Sequence, residues 1–247
     1  MDRLIYVAMT GARHILDQQG SVANNLANVS TSGYRAVASA FLAVPVEGEG
    51  LPTRTFAVDS TPGANFAPGE LQATGRDLDV AIQGPGWIAV QQKDGSEAYT
   101  RNGSLQIGQN GLLQTRNGLT VLGDGGPIAV PPDGTITIGR DGTISLVPLI
   151  PPPNAVSTVG RIKLVNPDAS QLVRGADGLF RLRSGGTAEA DSNVTLASGA
   201  LEGSNVNVVE ELISMISLSR QFDLHMKMLT NAENNAQKSS QILNVGA

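Results

Sequence analysis

The stretch SVANNLANVSTSGYRA (Ser21–Ala36) joins two kinds of sequence that favour different structures. Its first half keeps a helical spacing of apolar residues, although asparagine is a mediocre helix former because its amide competes for nearby backbone groups. Its second half contains the run STSG, and Gly33 is placed for a left-handed stop after a helix. We therefore predict that this stretch ends an N-terminal helix and leads into a different layer of structure.

Upstream of this junction, apolar residues recur in alternating steps of three and four. The line consists of Ile5, Ala8, Ala12, Ile15, Gln19, Val22, Leu26 and Val29. Such spacing is that of a heptad repeat, and it predicts an amphipathic helix from about Asp2 to Val29. Asn24, Asn25 and Asn28 flank the line. Because an amide both donates and accepts hydrogen bonds, we predict that these asparagines bond to neighbouring subunits where helices crowd.

The last forty residues carry a second line with the same spacing. Its members are Val208, Leu212, Met215, Ser219, Phe222, Met226, Leu229, Glu233, Ala236, Ser240 and Leu243. Asn207 is a favourable N-cap, and Glu210 three residues later completes a capping-box pattern. These signals predict a long C-terminal helix.

The sequence between the two lines has a residue pattern that does not favour helices. Residues 34–74 are punctuated by proline and glycine, which favours short extended pieces and turns. Beyond them, Asp-Gly or Asn-Gly pairs occur eight times between Gly75 and Arg183, separated by short runs that alternate or are rich in β-branched residues. Such pairs favour type I′ turns in hairpins. The middle of the chain therefore predicts an all-β body.

Together these patterns predict an α+β fold, in which long N- and C-terminal helices pair as a coiled-coil domain and a central all-β domain is rich in hairpins. The predicted boundaries are 1–33 and 205–247 for the helical domain, 34–74 for an extended linker and 75–204 for the β-rich domain. A long helix does not bury an apolar line by itself, so each line requires a partner helix.

Composition excludes several classes of function. The chain has 247 residues, a net charge of −5 and no cysteine, which rules out disulfides, cysteine zinc sites and thiol catalysis. An acidic chain does not favour nucleic-acid binding.

The sequence shows no cleavable signal peptide and no membrane span. Asp77 and Asp79 are better explained by a turn and a strand edge than by a catalytic pair. We therefore predict no catalytic residue, cofactor or metal, and no membrane insertion.

Three stretches carry a resemblance to a known family. SVANNLANVSTSGYRA, SNVNVVEELISMI (Ser204–Ile216) and TGRDLDVAIQGPGWIAV (Thr74–Val90) resemble, in family order, the flagellar axial proteins, which include rod, hook and hook-associated subunits. Within that family, the opening MDRLIYVAMTGA resembles the proximal-rod members. The resemblance covers nearly the whole chain.

The resemblance implies a structural subunit of the bacterial flagellar basal-body rod. Such a subunit is exported by the flagellar type III apparatus without signal cleavage. It polymerises helically in the periplasm with copies of itself and other rod proteins, and the product transmits torque from rotor to hook. The terminal helices would form the inner, channel-side layer and the β body the outer one.

This function predicts a set of subunit-packing residues on the two helices. They are Ile5, Ala8, Ala12, Ile15, Val22, Asn24, Asn25, Leu26, Asn28, Val29, Leu212, Met215, Phe222, Met226, Leu229, Ala236 and Leu243. Two alternatives remain open at this point. One is a distal-rod or hook component of the same family, and the other is a β-rich enzyme that uses helical termini to oligomerise.

Overall fold

The computed structural model describes residues 2–45, 55–132, 134–148 and 156–244. The chain divides into two compact units. The helical unit comprises Met1–Ala27, Val37–Ala64 and Val206–Ala247. The β unit comprises Asn28–Ala36 and Asn65–Asn205.

The helical unit contains two α-helices and a two-stranded ribbon. The helices are α1 (Asp2–Ala27) and α2 (Val208–Asn244), and the ribbon is formed by β1 (Val37–Pro45) and β2 (Thr55–Ala64). The two strands pair antiparallel, with a register shift between Ala38 and Ala40. The backbone N–H groups of Val209 and Glu210 donate to Asn207 Oδ1 at 3.1 and 3.4 Å, which confirms the predicted N-cap of α2.

The β unit contains the remaining strands. They are β3 (Leu71–Ala73), β4 (Val80–Gln83), β5 (Trp87–Gln91), β6 (Glu97–Thr100), β7 (Leu105–Ile107), β8 (Leu113–Thr115), β9 (Thr120–Gly123), β10 (Gly126–Pro127), β11 (Gly134–Ile138), β12 (Thr143–Pro148), β13 (Ser157–Arg161), β14 (Leu164–Val165), β15 (Leu172–Arg174), β16 (Phe180–Leu182), β17 (Thr195–Ser198) and β18 (Ala200–Glu202). A short 3₁₀-helix spans Ala169–Gln171.

The strands of the β unit form one large sheet and several small ones. The large sheet has nine strands, of which seven follow the order β15-β16-β6-β5-β9-β8-β7, while β10 pairs with β9 and β14 with β5. A three-stranded sheet has the order β11-β12-β13, and β17 pairs with β4 and β18 with β3. The core is aliphatic and includes Val90, Val121, Ile144 and Leu196, all of which are completely buried.

The predicted fold class is wrong. In the described residues the central region is mostly β-sheet, eighteen strands are present against two α-helices, and only α2 reaches 37 residues. The predicted coiled-coil pairing of two long terminal helices is not shown, because Leu212 and Met226 of the predicted α2 line are exposed. The physical reason is that apolar residues occupy most of the circumference of α2. Several different lines of residues with three-four spacing can therefore be drawn along this helix, and the spacing alone does not show which line is buried.

The predicted turn type is also wrong. A type I′ turn needs positive φ at both central residues, yet glycine alone has positive φ among the described residues. In the β5–β6 hairpin, Asp94 stays at negative φ and its Oδ1 accepts from the N–H of Ser96 at 2.9 Å, while Gly95 has a φ of 85°. A longer hairpin loop with glycine in the left-handed position therefore replaces the two-residue loop.

A buried charge cluster holds the ends of the β unit together. The Glu202 carboxylate accepts from Arg35 Nη2 at 2.6 Å, from Arg101 Nη1 at 3.0 Å and from the Gly69 N–H at 2.9 Å. The Glu202 carbonyl also accepts from the Gly33 N–H at 2.7 Å. Segments 28–36, 65–70 and 200–205 of the β unit are thus fastened at one carboxylate.

The cluster contains two cations, Arg35 and Arg101, and one anion, Glu202, so its net charge is positive. Arg35 and Glu202 side chains are each 1% exposed. Burial lowers the pKa of Arg101, and the negative charge of Glu202 partly opposes this. Nε of Arg101, and both Nε and Nη1 of Arg35, have no hydrogen-bond partner among the described residues. Glu202 is therefore the group on which both arginines depend.

Replacement of Gly33 by alanine should destabilise the β unit. Gly33 has a φ of 69°, and a Cβ built there lies 2.3 Å from the Arg101 carbonyl carbon and 2.4 Å from the Asn102 nitrogen. Backbone atoms cannot move aside as a flexible side chain can, so we expect a loss of about 2 to 4 kcal/mol. Gly118→Ala is the matched control, because Gly118 has a φ of 80° but nothing within 4 Å of its Cβ position. Urea unfolding that gave equal losses for both variants would contradict this account.

Candidate subunit interface

One face of α1 is covered within the helical unit. Ala8, Ala12 and Ile15 are buried, and Ile5, Val22 and Leu26 are half-buried. All six come from the predicted packing set. The structure thus brings the α1 part of that set together on the side of α1 that its own chain covers.

The covered face of α2 is a different line from the predicted one. It consists of Glu211, Met215, Leu218, Phe222, His225, Leu229 and Ala232, which are half-buried or buried. Met215, Phe222 and Leu229 of the predicted set lie on this face. Leu212 and Met226 lie off it and are exposed. Ala236 and Leu243 have side chains outside the described residues.

The two helices approach each other closely where α1 carries a glycine. A Cβ built at Gly11 would lie 2.6 Å from Cε1 of the His225 imidazole. The close approach therefore depends on the absence of a side chain at Gly11, and it places the ring of His225 against the backbone of α1. Nδ1 of His225 is buried and has no hydrogen-bond partner among the described residues.

Asn25 connects three elements of the helical unit. It is 3% exposed, and its amide makes a reciprocal pair with the backbone of Val37, accepting from Val37 N at 2.8 Å and donating to Val37 O at 3.1 Å. Its Nδ2 also donates to Glu211 Oε1 at 2.8 Å. The side chain thus acts like one residue of a β-strand partner for β1 while it holds the first turn of α2.

The other asparagines and Val29 are placed differently. Asn24 is exposed on α1. Asn28 and Val29 belong to the β unit, where both are half-buried. Asn28 accepts at Oδ1 from the Thr31 hydroxyl at 3.2 Å and at its carbonyl from the Thr31 N–H at 3.1 Å. The three asparagines therefore do not act as one set.

The opposite side of α2 exposes apolar side chains close to its N-terminus. Val209, Leu212, Ile213 and Ile216 are 64, 44, 63 and 57% exposed, and we name these four residues the α2 apolar patch. Successive members are three or one residues apart, so they share one side of the first turns of the helix. Exposed aliphatic side chains grouped in this way are typical of surfaces that bind another protein or a membrane.

Further exposed apolar residues lie elsewhere on the helical unit. Leu224 and Met228 continue along α2, and Tyr6, Met9 and Leu16 lie on α1. On the ribbon, Leu42 and Val44 of β1 are exposed. The helical residues among them lie outside the three-four lines predicted for the two helices, and Leu42 and Val44 lie in the segment predicted as an extended linker. The signal was present in the apolar residues that the three-four line left over.

Two searches of the described residues concern other kinds of site. No group of three or more His, Cys, Asp or Glu residues that could hold a metal ion occurs there. In the same part of the chain, no helix combines the length and the apolar character needed to span a membrane.

Comparison with known proteins gives two family matches and several full-length relatives. Residues 197–242 match the flagellar basal body rod FlgEFG protein C-terminal family, and residues 81–146 match the flagellar hook protein FlgE/F/G D1 domain. The flagellar basal-body rod protein FlgF of Escherichia coli K12 is 49% identical over 99% of this chain and 100% of its own length. FlgF of Salmonella typhimurium is 48% identical over the same shares. FlgG of Buchnera aphidicola (subspecies Schizaphis graminum) is 30% identical over 96% of this chain and 98% of its own.

Proposed function

This chain belongs to the family of flagellar basal-body rod proteins, and we propose that it forms part of the proximal rod, where it polymerises helically with copies of itself and with other rod proteins. The predicted family is confirmed by relatives that match the chain from end to end. The chain is a structural subunit of the flagellar basal body. The proximal position is supported by the opening MDRLIYVAMTGA, which resembles the proximal-rod members, and the chain is more similar to the two FlgF proteins than to FlgG.

The α2 apolar patch carries the proposal of polymerisation. Four aliphatic side chains, all at least 44% exposed, occupy one side of a 37-residue helix. Burial of apolar surface stabilises by about 25 cal/mol per Å², so a neighbouring subunit that covered this side would gain substantially. The relatives are named as flagellar basal-body rod proteins, which supports a structural role rather than an enzymatic one.

We further propose that the subunit reaches the periplasm through the flagellar type III export apparatus, without a cleaved signal peptide. Its N-terminal residues form the amphipathic α1, in which Ala8, Ala12 and Ile15 are buried, rather than a continuous apolar run. Removal of this segment would therefore remove packing surface from the helical unit.

Isolation of basal bodies tests both proposals. A strain that lacks this gene should be non-motile, and a plasmid copy should restore swimming and place the chain in the purified rod fraction. Mass spectrometry of that chain should find the segment 2–27 intact, and the chain should stay in the cytoplasm when the flagellar export apparatus is inactivated. A motile deletion strain, or a chain absent from purified basal bodies, would contradict the proposed function.

A further inference from the structure

The helical unit contains a groove beside the buried Asn25. Its volume is about 410 Å³, and its walls are formed by Val22 and Asn25 of α1 and by Glu211, Ser214 and Leu218 of α2, among others. The lining mixes aliphatic and polar side chains. A groove of this size and composition accepts a few side chains of a protein partner.

Glu211 gives the groove its charge. Its Oε1 accepts from the neutral amide of Asn25 at 2.8 Å. In the part of the chain that the structure describes, no lysine or arginine forms an ion pair with Glu211. The residue is half-buried, and an opposite charge placed beside it would interact more strongly there than in open solvent. The groove therefore suits a side chain that is cationic at its tip.

The same helix presents such a side chain on another face. Val209, Ile216, Arg220 and Lys227 are exposed and are spaced by seven, four and seven residues, so they form a single line along α2. Arg220 and Lys227 take part in none of the ion pairs of the described residues. The line begins apolar and becomes cationic, which complements a groove that has both aliphatic walls and a carboxylate.

We propose that the groove of one copy receives the exposed line of α2 from a second copy, with Arg220 of the second copy pairing with Glu211 of the first. The inference rests on the proposed function and names the two surfaces that meet. Arginine suits the site because its planar guanidinium can donate two parallel hydrogen bonds to a carboxylate. Ile216 lies one turn before Arg220 and would enter beside Val22 and Leu218.

The two surfaces differ, so the contact joins unlike faces. Glu211, Ser214 and Leu218 lie on one side of α2 and Ile216 and Arg220 on another, with Ile213 at the edge of the groove nearer the line, so each copy offers both a groove and a line. Contacts between unlike faces generate closed rings or, where the rotation does not close, open helical assemblies with a free surface at each end. The geometry therefore agrees with a subunit that polymerises in one direction.

Charge exchange tests the pairing. In sedimentation velocity with the purified chain, Glu211→Lys and Arg220→Glu should each weaken self-association at least tenfold, and the double variant should restore most of it. Glu211→Gln keeps an acceptor for Asn25 but loses the charge, and it should also weaken association. Glu210→Lys is the matched control, since Glu210 is the neighbouring exposed carboxylate and does not line the groove. Circular dichroism should be unchanged in Arg220→Glu, Glu211→Gln and Glu210→Lys, which all keep an acceptor for Asn25.

Cysteine cross-linking supplies a readout of geometry, because the chain contains no cysteine. Leu218→Cys in the groove and Ile216→Cys on the line are two residues apart on α2, so the two side chains lie on different sides of the helix and do not meet within one chain. Under mild oxidation, the double variant should form a ladder of covalent oligomers, and each single variant should remain monomeric.

Failure of this inference is distinct from failure of the proposed function. The pairing is wrong if the double variant does not regain self-association, if Glu211→Gln associates like the wild type, or if the wild type never self-associates. Recovery of the wild type and of Glu210→Lys in purified basal bodies would leave the rod assignment intact in each of these cases. If neither is recovered there, the proposed function itself fails.

Discussion

Replacement of Glu202 by alanine should cost the β unit about 3 to 5 kcal/mol of unfolding free energy, the largest loss that we expect from a single charge deletion in this chain. The carboxylate is the shared acceptor of Arg35, Arg101 and the Gly69 N–H, and it is 1% exposed. Without it, two guanidinium groups remain in the interior with no counter-charge. Water cannot solvate them there, so the folded state loses stability that the unfolded chain does not lose.

The measurement is urea unfolding followed by the fluorescence of Trp87, the single tryptophan, whose ring lies 5.5 Å from the Arg101 guanidinium carbon. Glu202→Gln should lose less, because the amide still accepts from one neighbour, but more than a surface change. Glu189→Ala provides the matched control, because Glu189 is an exposed glutamate of the same unit. A loss at Glu202 no larger than the loss at Glu189 would show that the cluster does not stabilise the fold.

Replacement of Ile216 by aspartate should abolish swimming while leaving the isolated chain folded. Ile216 is 57% exposed in the helical unit, so an aspartate there remains in water in the free subunit, and we expect a stability change within about 0.5 kcal/mol. In the assembled rod, the same charge would lie against the surface of a neighbour. Burial of an unpaired carboxylate is costly enough to prevent that contact.

Swimming on soft agar and recovery of the chain in basal bodies measure the effect. Leu229→Asp is the contrasting variant, because Leu229 lies on the covered face of α2 and its change should disturb the helical unit of the free chain. Circular dichroism should therefore separate the two, with helix lost in Leu229→Asp and kept in Ile216→Asp. Normal motility of the Ile216→Asp strain would show that the α2 apolar patch is not part of the subunit interface.

The sequence predicted some local features well, because local residues determine them. The N-cap at Asn207 depends on residues within one turn of the helix end. Gly33 has the predicted left-handed φ of 69°, but α1 already ends at Ala27, so Gly33 does not cap that helix. The family was also predictable, since its stretches are continuous in sequence. The short alternating or β-branched runs of the middle region predicted strands, and β5 is one of them, although the order of the strands in the large sheet depends on contacts far apart in the chain.

Which residues of α2 face α1 could not be predicted from the sequence, for a physical reason. In α2, apolar residues occupy most of the circumference, so their spacing does not show which line faces α1. Contacts with α1 determine which line of α2 is buried. Gly11 leaves room for the ring of His225, and Asn25 donates a hydrogen bond to Glu211. Asparagines that were predicted to serve a neighbouring subunit include one, Asn25, whose amide bonds within its own chain to Val37 and Glu211.

A cryo-electron microscopy map of basal bodies, at a resolution that traces side chains, tests the central claim most directly. The account predicts this chain in the proximal rod, with Val209, Leu212, Ile213 and Ile216 covered by neighbouring subunits and the β unit folded as described. A rod without this chain would contradict the account, and so would a rod in which these four residues face open solvent.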